Sequence, residues 1–295
     1  MIAAIIGKAR RRAARLRRAA VARTVSPYLR ARAARTSSSL IDPDNPVVVS
    51  LTSYGQRLET VHLTIESIGR GRSRPARLML WTDPGVNPDD LPAPLQRARW
   101  RGLEILQSPQ RLGPHTKYYP YVASRADHSV PLVTADDDSL YPAAWLSGLQ
   151  RAAALHPDDV CCYRAHRVQL TDAGDLEPYN SWTPVRGSRP SFHNFATGVS
   201  GVIYPAGFLN QLRADGQDFL RCCPRADDVW LHYRAVAHGR AIRQIVRRPR
   251  KYPEIAATQE TALHKSNTAM NQNDAQITAT YDPEVLSFLR RSDGP

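Results

Sequence analysis

Short apolar runs alternate with segments of helical period along the first half of the chain. Residues 47–52, 78–82, 103–106 and 131–135 are runs of Val, Leu, Ile and Met with few polar breaks. Runs this short, apolar on successive positions, predict strands buried on both faces. Between the first two, Leu58, Val61, Ile65 and Ile68 recur at helical spacing, and Gly69 closes that helix. Further helices are expected over 116–124, 142–155 and 226–237, and further strands over 159–163, 199–204 and 241–246. Strands alternating with helices predict an α/β domain with a mostly parallel, Rossmann-like sheet flanked by helices. Ligands then bind at the carboxyl ends of the strands. A chain of 295 residues, 42% hydrophobic and 23% charged, has the length and composition to bury such a core, and it contains no internal repeat or 18-residue apolar span.

The net charge of +13 is unevenly placed. Lys8 and ten arginines occur within residues 1–40, with no acid among them, leaving a nearly neutral body. The expected organisation is a basic N-terminal arm over 1–40, helical or disordered, a folded domain over 41–253, and a tail over 254–295 packing on or near the site. A neutral body argues against a nucleic-acid partner, because phosphate recognition needs basic charge on the domain itself. Ile2, Ile5, Ile6, Ala9, Ala13, Leu16 and Ala20 share one side of a helix, so the arm suits an anionic membrane surface, or else a solvated tail. The expected location is cytoplasmic, peripheral on the inner membrane face. The adjacent pairs Cys161-Cys162 and Cys222-Cys223 lack zinc spacing and are expected to be free thiols.

The fourth run ends in Asp136-Asp137-Asp138. Three adjacent carboxylates repel one another, and folding them together is costly without a compensating cation. Strand geometry puts Asp136 and Asp138 on one side and Asp137 on the other. Hard divalent ions prefer carboxylate oxygen. The competing reading is an acidic turn ahead of the next helix.

From these residues onward the chain resembles the GT-A glycosyltransferases, most nearly the bacterial family 2-like group that uses nucleotide sugars. The segments 50–54, 60–67, 112–117, 197–205 and 223–230 carry the resemblance together with the acidic triplet, and it spans about residues 47–246. It implies a GT-A fold and an inverting hexosyltransferase. Such an enzyme passes a sugar from a nucleotide diphosphate to a hydroxyl of a glycan or lipid-linked acceptor. Asp136 and Asp138 match the Asp-x-Asp motif and would hold Mn²⁺ or Mg²⁺, with His264 as a third ligand. Thr52, Ser53, Tyr54, Asp83, Lys117 and Asp137 would bind the donor. Asp228 would deprotonate the acceptor hydroxyl, supported by Asp227. The competing readings are a solvated lysine at Lys117, the start of an Asp-Pro-Gly turn at Asp83, which is equally good, and first-turn helix electrostatics for the acid pair, where the upstream triplet favours the base. Trp182, Phe192, His193 and Phe195 suit either an acceptor pocket or a core.

Two alternatives are a haloacid-dehalogenase-like Mg²⁺-dependent phosphatase, whose Asp-x-Asp also follows an apolar strand, and a non-enzymatic membrane adaptor working through the arm.

Overall fold

The computed structural model describes residues 2–255 and 272–292. A basic helix α1 (Ile2–Arg35) precedes β1 (Val48–Thr52), α2 (Val61–Gly69), β2 (Arg77–Thr82), α3 (Ala93–Trp100), β3 (Leu103–Gln107), α4 (Tyr119–Ala123), β4 (Leu132–Thr134) and α5 (Trp145–Leu155). Then come β5 (Val160–Cys162), β6 (Ala165–Arg167), β7 (Thr183–Pro184), β8 (Asn194–Ala196), β9 (Val202–Tyr204), α6 (Ala206–Asp215), α7 (Phe219–Cys222), α8 (Asp227–Ala237) and β10 (Ile242–Gln244). Helices Gln272–Thr280 and Pro283–Ser292 follow.

The main sheet has seven strands in the order β10-β5-β9-β4-β1-β2-β3. Every pairing in it is parallel except those of β9, which runs antiparallel to both β4 and β5. The chain is therefore an α/β protein with a mostly parallel sheet flanked by helices. Successive strand residues fill opposite cores. Val48, Met79, Trp81, Leu132, Cys162, Val202 and Tyr204 face one side, against α4, α6 and α8. Val49, Leu51, Leu78, Leu80, Val133, Cys161 and Ile203 face the other, against α2, α3 and α5. That is why these runs lack polar alternation.

The expected strands and the helices α2, α5 and α8 form, with ends shifted by a few residues. The antiparallel sheet β7-β6-β8 has no counterpart in the sequence analysis. Its strands are two or three residues long, too short for periodicity to register. Helix α6 also went unforeseen, although Phe208, Leu209 and Leu212 are buried at helical spacing.

The last turns of α1 pack into the body. Ala22, Leu29 and Ala33 are buried, and Leu29 joins Leu63, Leu140 and Ile255 in a small core. Arg32 pairs with buried Glu66 of α2 at 3.1 Å, and Arg101 pairs with the same carboxylate. Earlier in the helix, Arg12, Arg15, Arg17 and Leu16 are exposed. All four cysteines are free thiols.

Candidate active site

The pleat that sorts the two cores also builds the floor of a cleft at the carboxyl ends of β1 and β4. Ser53 continues the Val49–Leu51 side and Asp137 the Val133–Ala135 side, so both turn inward toward α2. Ser53 is fully buried and donates to Asp137 Oδ2 at 2.7 Å. Thr64 of α2 donates its hydroxyl to the Asp137 and Ser139 carbonyls at 2.9 and 3.0 Å. Asp136 and Asp138, two residues apart, line the cleft together with Thr52 and Tyr54.

Two cations compensate the triplet. Arg57, just after β1, grips Asp137 through Nε at 2.8 Å and through Nη2, and reaches Asp138 at 3.1 Å. Burial pushes the Asp138 carboxyl up to about 7, aided by Asp136 and Asp137 and only partly offset by Arg57. Lys117 stands between Asp136 and Asp227, with Nζ 3.1 Å from each. Burial alone would lower its pKa, but Asp136, Asp227 and Asp228 outweigh that and hold the ammonium well above its usual range.

A buried imidazole sets the position of Lys117. His115 donates from Nε2 to the Cys223 carbonyl at 2.8 Å, accepts from the Tyr118 hydroxyl at Nδ1 (3.0 Å), and stacks on Phe219. Burial lowers its pKa to about 4, so the ring is neutral and each nitrogen has a fixed role. The loop carrying Lys117 is thereby tied to the turn that opens α8.

Asp227 and Asp228 occupy the first turn of α8. Asp228 Oδ1 accepts from the Gly198 backbone N–H at 3.0 Å, which leaves the second oxygen free of any protein donor among the described residues. Burial, then the neighbouring Asp227, pushes the Asp228 carboxyl up to about 8, against the pull of Lys117. Gly198 is closely packed: a Cβ there would lie 3.2 Å from Asp228 Oδ1, which would have to give by a few tenths of an ångström, and 3.4 Å from Lys117 Nζ. Gly201 is required by its φ of +93°, and its Cβ would strike the Trp145 ring, whose Nε1–H donates to the Ser200 carbonyl.

The opposite wall comes from the small sheet. Arg164, His166, Tyr179, Phe195 and Thr197 line it. Arg164 donates to the Thr197 hydroxyl at 2.8 Å, and burial followed by Arg164 lowers His166 to about 4. Helix Gln272–Thr280 completes the rim: Asn273 lines it, Asp274 accepts from Tyr179 N–H at 2.7 Å, and Gln276 accepts from Arg225 N–H at 2.9 Å. The cleft encloses about 440 Å³.

Of the residues singled out in the sequence, Thr52, Tyr54, Lys117, Asp136, Asp137, Asp138, Asp227 and Asp228 meet at this cleft. Ser53 is buried beneath it, and Asp83, at the end of β2, is not among its lining residues. His264 lies outside the described residues. Of the four aromatic candidates only Phe195 lines the cleft. Trp182 and His193 are buried, donating to or engaging the Glu177 and Leu289 carbonyls, and Phe192 packs on Phe288. Arg57 and Arg164 escaped the sequence analysis. A basic residue five positions past the first strand of a nearly neutral body was the available signal for Arg57.

Asp136 and Asp138 present hard oxygen to the cleft, a donor set that fits Mn²⁺ or Mg²⁺. Among the described residues no group of three metal-ligating side chains gathers, so a cation would need oxygens of a bound ligand to complete its shell.

The sequence matches no protein-family model and no curated protein. Among solved structures the chain is similar to S. aureus TarS, residues 1–349, with a TM-score of 0.49 and 13% identity over 83% of this chain and 70% of that one. It is also similar to the same TarS fragment in complex with UDP, with a TM-score of 0.45 and 12% identity over 70% of this chain and 59% of that one. Identities and TM-scores this low describe a general likeness of chain path and assign no activity.

Proposed function

We propose that the protein is an inverting glycosyltransferase that moves a sugar from a nucleotide-diphosphate donor to an acceptor hydroxyl. The observation that carries the reading is Asp228. Its carboxyl accepts from the Gly198 N–H at one oxygen, has no protein donor at the other among the described residues, and is pushed up to about 8 by burial and Asp227, which suits a proton acceptor. The acceptor oxygen bonds to the anomeric carbon as the bond from that carbon to the diphosphate breaks. The acceptor proton passes to Asp228. Asp227 holds Lys117, and Lys117 holds Asp136, so one cation aligns the base with the acidic triplet. Asp136 and Asp138 would hold a divalent cation, which supplies charge neutralisation for the departing diphosphate. Thr52 and Tyr54 border the donor, while Tyr179, backed by buried Phe195, offers an aromatic ring to the acceptor.

A haloacid-dehalogenase-like phosphatase is less well supported. Its nucleophile would be Asp136, whose carboxylate is held by Lys117.

Thermal-shift binding of UDP, GDP, dTDP, CDP and ADP, each with Mn²⁺ and with EDTA, tests the donor reading. One nucleotide should stabilise the wild type only with metal, and Asp138→Asn should abolish that shift. No shift with any nucleotide would refute the reading.

Arg12, Arg15 and Arg17 on the exposed part of α1 fit an anionic membrane surface as a peripheral partner. Among the described residues no helix is long and apolar enough to cross a membrane. Equal retention on anionic and neutral vesicles would refute this placement.

A further inference from the structure

The strip of chain that enters the cleft at Lys251 and Glu254 first walls a second concavity, of about 630 Å³. Arg186, Arg247, Arg248 and Arg250 line it, and among the described residues no carboxylate does. None of the four has an ion-pair partner among the described residues. The nearby acids are committed elsewhere: Asp159 to Arg243 at 2.7 Å and Glu254 to Lys251 at 2.9 Å.

The backbone presenting these arginines is held firmly. Gln244, fully buried at the end of β10, donates from Nε2 to the Val185 and Val246 carbonyls at 3.1 and 2.8 Å, and its Oε1 accepts from Ala165 N–H at 3.0 Å. Gly187 N–H donates to the Arg247 carbonyl at 3.0 Å. At the far end Arg250 N–H donates to the Tyr163 carbonyl at 3.0 Å, and the Ser200 hydroxyl donates to the Arg250 carbonyl at 2.7 Å. One buried amide thus staples together both arginine-bearing segments. Four guanidinium groups around one hollow repel each other, and among the described residues no ion pair offsets that. Guanidinium forks match phosphate and carboxylate oxygens in bidentate geometry.

We propose that this basin is an anion-binding subsite for the acceptor, taking phosphate or carboxylate groups along a polyanionic chain whose hydroxyl end then enters the cleft past Lys251 and Arg164. The acceptor role rests on the transferase reading; the anion site does not.

Labelled linear inorganic polyphosphate, titrated into the full chain and followed by fluorescence anisotropy, tests it. Arg247→Ser with Arg248→Ser should weaken binding roughly tenfold or more and lower the slope of log affinity against log salt by about 1–2. Arg186→Ser, from the other wall, should weaken it independently. Arg12→Ser, Arg15→Ser and Arg17→Ser together, which discharge part of α1, should leave the basin's share of binding in place. Unchanged affinity in both basin variants would overturn the proposal. So would loss of anionic-vesicle binding in those variants with polyphosphate binding intact, since the basin would then face lipid. Nucleotide thermal shifts on the same proteins separate the two readings. No shift in the wild type, with the polyphosphate difference intact, would retire the acceptor role and keep the anion site; the reverse pattern would retire the site alone.

Discussion

The acidic cleft and the arginine basin share the strip of residues 246–254, yet they handle charge in opposite ways. In the cleft, five carboxylates are gathered around Arg57 and Lys117, and each cation touches two acids. Where pairing falls short, burial raises the acid's pKa, as at Asp138 and Asp228. In the basin, four arginines face one hollow with no carboxylate among the described residues. The first arrangement is largely complete without a ligand and holds its groups in register. The second has no ion pair among the described residues, and an anion from outside would complete it. Charge balance therefore separates a site built to align chemistry from one built to capture a partner.

The sharpest way to break this comparison is at Asp228, the proposed base. Asp228→Asn keeps the shape of the carboxylate and removes the proposed proton acceptor, so transfer should fall by about 10²–10⁴-fold while nucleotide binding persists. Steady-state transfer and thermal shift, measured together, check this. Lys117→Met comes next. It strands Asp136 and Asp227 without their shared cation and should cost about 3 kcal/mol in urea unfolding, with part of the loss recovered when Asp136→Asn is added. In Gly198→Ala the new methyl crowds Asp228 and Lys117, and kcat should drop roughly tenfold with little change in Tm.

The pH dependence is subtler. In the folded protein Asp228 keeps its proton up to about 8, whereas the unfolded chain releases it near 4. The fold therefore binds more protons between those values, and stability contributed by this group is lost as pH rises from about 4 through about 8. Activity should rise over the upper part of the same window as the base becomes free. Asp228→Asn should flatten its share of the fall in Tm. The smallest effect belongs to the basin. Arg247→Ser with Arg248→Ser removes no pairing, so stability should stay within about 0.5 kcal/mol of wild type. A large loss would mean that these arginines are structural after all.

Much of the site was legible because strands and charge clusters are local. The apolar runs announced β1, β2, β3 and β4, and the period of two already separated Asp136 and Asp138 from Asp137. The acid pair opening α8 was visible for the same reason. Ser53 lies beneath the cleft because it follows the pleat into the core, and Asp83 follows β2, the strand beside β1, outside the residues that line the cleft. Arg57 and Gln244 were invisible because their partners are distant in sequence, about 80 residues away at Asp137 and Ala165. The small sheet was missed because its strands are too short to leave a pattern.

The sequence by itself determined the α/β alternation, the basic first 40 residues and the presence of carboxylates that need compensation, because periodicity, composition and adjacency are properties of neighbours. Only the tertiary structure decided which cation serves which acid, that a glycine amide holds Asp228, and that four arginines from two segments share one hollow. Those outcomes depend on burial and on contacts between residues far apart in the chain, and both come into being only when the sheet closes its two cores.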